Sequence, residues 1–194
     1  MPFVLPSLCI LSWVDAQANL PTRARWTAKA NVAPIGASKR GASTLPFKES
    51  FLFSEPSSLD ASLIQVYRET HYRVDGPLGL TLLVDTHSPE LAALHLKHGV
   101  ACSAFITACN PNSIALSEGA NIKLQADFGV ELQNRGFDYL LGIGQHPDND
   151  WPGESSYLVL GLAIQAAKAL AIKLEQNAFI WNGHDAVPKL VLLK

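Results

Sequence analysis

The feature that most constrains this chain is the apolar run from Val100 to Ala108, which stops abruptly at Cys109-Asn110-Pro111. Its length and flanks suit a strand buried on both faces, and such a strand needs cover from other elements on each side. Proline ends it because the ring removes a ladder donor and restricts the residue before it. The small and hydrogen-bonding residues Thr107, Ala108, Cys109 and Asn110 therefore sit at a strand end, where open α/β sheets place their sites.

The flanking segments supply that cover. Ser57 with Asp60 resembles a capping box, and Leu59, Leu63, Val66 and Tyr67 follow helical spacing to about Thr70. Tyr72-Arg73-Val74 and Leu80 to Val84 read as a hairpin around Asp75-Gly76-Pro77. The next helix has Ser88 as N-cap, Pro89 at its first position, Leu91, Leu94 and His95 inside, and Gly99 as its stop. Residues 117–135 carry two conflicting patterns. Ile122, Leu124, Ala126, Phe128, Val130 and Leu132 alternate, whereas Leu124, Phe128 and Leu132 lie four apart behind Ser117-Glu118. An uninterrupted strand of that length is exceptional, so a helix is expected.

Tyr139 to Ile143 reads as a strand, 144–154 as a polar loop, and Tyr157 to Leu162 as a further strand. A helix lined by Ile164, Ala167, Ala171 and Leu174 follows, and two strands around Asn182-Gly183 close the chain. The expectation is one α/β domain with α+β character over 58–194, a mixed β-sheet covered by helices.

Residues 1–57 differ in composition. They hold half of the twelve prolines and six Lys/Arg against three Asp/Glu, leaving nine Lys/Arg and fourteen Asp/Glu to the rest. Met1 to Trp13 is apolar, but Pro2 and Pro6 interrupt it and no positive stretch precedes Phe3. A disordered or poorly packed extension is the first reading, including an over-long gene start, and a targeting segment the second. The acidic balance of the remainder argues against nucleic acid as partner. No apolar run approaches a membrane span. Cys9, Cys102 and Cys109 form no CxxC pair, which suits free thiols in a reducing, cytoplasmic setting. The sequence leaves the oligomeric state open.

Familiar catalytic motifs are missing, and no cofactor is implied. Gly142-Ile143-Gly144 lacks the third glycine of a dinucleotide turn. His95 and His98 have metal-ligand spacing on a helix but no evident third ligand, so no metal site is expected. Cys109 with His146 as base invites a thiol-nucleophile reading, but a buried cysteine far more often acts as a small hydrophobe, and that is the expectation here. A polar set at strand ends is better motivated: Thr107, Asn110 and Asn121, then Gln145, His146, Asp148 and Glu154 from the polar loop with Trp151 beside them, then Gln176 and Asn177. It is rich in amides and short of nucleophiles, which points to recognition, with Glu154 as the catalytic acid or base if there is chemistry. The same amides also satisfy loop backbone and helix ends.

Several of these blocks together resemble the bacterial DUF3293 family. They are Tyr72-Arg73-Val74, Phe105 to Pro111, Asn121, Trp151-Pro152-Gly153-Glu154, and Gln176-Asn177-Ala178 through Trp181. The resemblance spans about Leu63 to Leu193. Cys109 stands where the family's "TAWNP" hallmark has tryptophan, so an aromatic stacking surface there would be lost. The family is named for its unknown function and implies no activity. The expectation is a protein that binds or transforms a small ligand, a nucleotide-like molecule being one candidate. The alternative is a non-catalytic interaction module.

Overall fold

A computed structural model describes residues 58–76, 79–148 and 150–194, so the readings of residues 1–57 lie outside the described residues. Four helices are described, α1 (Ala61–Glu69), α2 (Pro89–His98), α3 (Glu118–Asn134) and α4 (Ile164–Lys173). Seven strands accompany them, β1 (His71–Val74), β2 (Thr81–Leu82), β3 (Ser103–Ile106), β4 (Tyr139–Gln145), β5 (Glu154–Leu160), β6 (Ala178–Asn182) and β7 (Pro188–Leu192).

The strands form a single sheet in the order β2-β1-β4-β5-β3-β6-β7. Every neighbouring pair is antiparallel, so the domain mixes helices with strands as expected, but the sheet does not mix strand directions. The connections supply the reason. β3 and β4, joined through α3, run the same way, as do β5 and β6, joined through α4. These two β-α-β units interleave in the order β4-β5-β3-β6, so each parallel partner is separated by an antiparallel strand. This is the split β-α-β arrangement of ferredoxin-like folds. The β1–β2 hairpin extends one edge and β7 the other.

Helical spacing wins over alternation in α3. Ser117 Oγ accepts from Ala120 N at 3.3 Å, and Gln125, Phe128, Gly129 and Leu132 are buried, while Ile122 and Val130 face outward. Phe128 and Leu132 join Ala167, Leu170 and Ala171 of α4 over Ala104, Ile106, Tyr157 and Val159 of the sheet. The opposite face carries Tyr72, Leu82, Phe105, Leu158 and Ile180, packed with Leu91 and Leu94 of α2. Both faces of β3 are thus covered, as its apolar run requires.

Local geometry adjusts several expected limits. Asp60 caps α1, its carboxylate accepting from Ser62 N at 2.7 Å; Ser57 lies outside the described residues. In α2, Ser88 Oγ accepts from Leu91 N and Gly99 closes the helix at φ 65°. β3 is shorter than its apolar run because Val100 N returns to His95 O and Ala108 N turns to the Gln125 side chain. β2 ends at Leu82, and the chain turns so that Asp85 N donates to Pro188 O, at the start of β7. Lys189 and Arg68 each reach the Asp85 carboxylate at 2.9 Å. The two ends of the sheet are therefore tied together, and its α1 side is curled.

Candidate functional site

The curled face encloses a cavity of about 330 Å³ between α1 and the sheet. Leu63, Val66 and Tyr67 of α1 line one side, and Tyr72, Phe105, Ile180 and Leu190 line the sheet side. α1 has no fully buried residue: its apolar stripe roofs the cavity without filling it. The register accounts for the open space. Gly144 lies between Tyr72 and Glu154 across three adjacent strands, and it has no side chain to occupy the gap. Gly142, two residues earlier, serves packing: a Cβ there would stand 2.5 Å from Arg73 O and 2.7 Å from Phe105. The Gly142-Ile143-Gly144 sequence is therefore mid-strand, with no dinucleotide turn.

Polar groups converge at the strand-end side. Glu154 opens β5, and its Oε1 accepts from Asn110 Nδ2 at 2.7 Å and from Trp151 Nε1 at 3.1 Å. Its Oε2 has no partner among the described residues. Asn110 is left-handed at φ 46°, a conformation asparagine tolerates better than most residues. Its Oδ1 accepts from Leu116 N at 3.0 Å and Asn121 Nδ2 at 2.9 Å, and its backbone N donates to Asn121 Oδ1. Asn121 thus stands behind Asn110 and does not line the cavity. Gln176 donates from Nε2 to Cys109 O and Leu174 O, which leaves Oε1 as its remaining acceptor.

Of the residues expected at a site, Thr107, Asn110, His146, Trp151, Glu154 and Gln176 line this one cavity, whereas Asn121 and Asp148 do not. Thr107 Oγ1 is tied into the backbone, donating to Ser155 O and accepting from Cys109 N. His146 belongs to the rim. Its Nδ1 accepts from the exposed Asp148 N at 3.1 Å, which assigns the proton to Nε2, 3.2 Å from Glu69 Oε2. Bonds from Gln65 first and His146 second hold the Glu69 carboxyl below its usual range.

A Cys109–His146 nucleophile pair does not form. Cys109 is buried, its thiol faces Ser155 O and Asn121 O, and burial pushes its pKa up, which disfavours the thiolate. Cys109 is also absent from the cavity wall. His95 is spoken for by Ser103 Oγ at 2.8 Å.

Sequence reasoning missed Tyr72, Ser113, Ser156 and Gln125. Burial pushes the Tyr72 phenol above its ordinary value, and it donates to Tyr67 O at 2.7 Å. Ser113 is left-handed at φ 58° and joins Tyr67 OH and Asn177 Nδ2, linking α1 to the Asn110 loop. No local pattern marks a serine for that role.

Residues 106–179 match the family model DUF3293, protein of unknown function. The resemblance read from the separated sequence blocks is shown over that stretch. The DUF3293 match is nearly coextensive with the interleaved β-α-β units, β3 to β6. It carries Thr107, Asn110, Trp151, Glu154 and Gln176. The α1 roof and Tyr72 lie outside it. No curated protein and no solved structure matches the chain. Among the described helices, none is long and apolar enough to cross a membrane.

Proposed function

We propose that this protein binds a small organic molecule in the cavity under α1. The observation that carries the reading is one carboxylate, Glu154, held by Asn110 and Trp151 at the edge of an otherwise mainly apolar cavity. A concave apolar site with few convergent polar groups is the usual form of a ligand pocket. Thr107, Asn110, Trp151 and Gln176 form its polar end, with Asn121 positioning Asn110 and His146 and Asp148 ordering the rim. If binding leads to chemistry, Glu154 is the only carboxylate among the described residues that line the cavity and takes the acid–base role.

The test is a melting-temperature screen of compounds small enough for the cavity, repeated on Gly144→Val. At Gly144 a Cβ makes only ordinary contacts with Tyr72 and Thr70, so the larger side chain fills space without forcing the backbone. Compounds that stabilise the chain and lose that effect in Gly144→Val support the reading. A screen without such compounds ends it.

A second reading, a non-catalytic interaction module, is favoured by Ile114 and Leu116, which stand exposed on the segment leaving Asn110. A partner whose binding is lost in Ile114→Glu and retained in Gly144→Val would support it.

A further inference from the structure

We infer that the cavity takes a compact organic cation, a protonated amine or amidine carried on an apolar body. The inference rests on the reading of the cavity as a ligand site and adds the class of ligand.

It follows from where the hydrogens go. Thr70 donates to Val66 O, Tyr72 to Tyr67 O, Thr107 to Ser155 O and Ser156 to Glu154 O. Both Gln176 Nε2 bonds go to backbone carbonyls, and Trp151 Nε1 is directed to Glu154. Most lining donors are therefore turned back into the protein. The capacity left over is mainly acceptor capacity, Glu154 Oε2, Gln176 Oε1 and hydroxyl lone pairs, against one Asn110 Nδ2 hydrogen and one hydroxyl hydrogen of the Tyr67–Ser113 pair.

Charge points the same way. The side chains that hold Glu154, an asparagine and a tryptophan, are both neutral, and among the described residues no Lys or Arg lines the cavity. His146, the one histidine among the described lining residues, is engaged by Glu69. Among the described residues an anionic ligand would meet a carboxylate and no Lys or Arg, so a phosphate-bearing nucleotide fits poorly, while an amino-bearing base without phosphate still fits. A cation would pair with Glu154 beside the rings of Tyr72, Phe105 and Trp151, which also favour positive charge.

Three probes of matched shape decide it: benzamidine, benzamide and benzoate, titrated against the full chain by calorimetry near neutral pH. Benzamidine is expected to bind at least about tenfold tighter than either isostere, with that margin lost in Glu154→Gln and all binding lost in Gly144→Val. Equal or tighter binding of benzoate or benzamide, still abolished by Gly144→Val, would overturn the cation assignment and leave the cavity reading intact. Benzamidine binding that ignores both substitutions would overturn the assignment, and so would no benzamidine binding at all. The cavity reading itself falls only if the wider screen also finds no Gly144-dependent compound. Should Glu154→Gln fail to melt cooperatively, the three-probe comparison on the unaltered chain still decides.

Discussion

The two faces of the sheet differ in how they are closed. On one, α3 and α4 seal a dry core in which Phe128, Leu132, Ala167 and Ala171 are at most 1% exposed. On the other, α2 buries Leu91 and Leu94, but α1 buries nothing completely and is fastened at its C-terminal end by polar links: Tyr72 OH to Tyr67 O, Tyr67 to Ser113, and Glu69 to His146. Hydrophobic closure and polar fastening have different consequences. A close-packed face resists any void, whereas a helix held by a few hydrogen bonds can stand over open space. The closed face belongs to the DUF3293 segment. The open one combines that segment's polar residues with a helix and strand from outside it.

If this contrast is right, equal kinds of truncation should have unequal costs. Phe128→Ala should lower unfolding free energy by about 3–5 kcal/mol in denaturant titrations, because the sealed core cannot collapse around the missing ring. Asn110→Ala comes next, at about 2 kcal/mol in the same titration, since Leu116 N and Asn121 lose an acceptor and alanine is strained in the left-handed region. Val66→Ala, on the roof of the cavity, should cost less than about 1 kcal/mol, its side chain being only partly removed from water. A cost like that of Phe128→Ala would mean that α1 is packed as tightly as α3.

The smallest effect sharpens the α2 half of the open face. Burial lowers the pKa of His95 from 6.5, so the native ring takes up a proton less readily than the unfolded one. Stability should therefore fall as pH drops below about 6.5 and level off once the native ring is also protonated. Denaturation midpoints measured against pH should show that slope, and it should flatten in His95→Gln. An unchanged slope in the variant would assign it to other groups.

Much of the fold was legible because it depends on local chemistry. Ser88, Pro89 and Gly99 punctuate α2 through backbone preferences, and the stripe of Phe128 and Leu132 needs only helical period. The strand order was not legible. Whether β3 pairs with β4 or lets β5 between them depends on contacts far apart in sequence, and the β3 run is equally apolar in either case. The polar set was half legible. Asparagine and glutamine carry the same donors and acceptors whether they bind a ligand or hold a loop, so their composition could not separate Asn110, at the cavity, from Asn121, behind it.

The Val100–Ala108 run, by its apolar chemistry, determined that a strand here would be buried on both sides and that the chain would turn at Asn110-Pro111. Only the tertiary structure decided what that turn faces. Long-range pairing set Gly144 between Tyr72 and Glu154 and drew α1 across the gap, and the cavity among the described residues arises from that arrangement, not from any single residue.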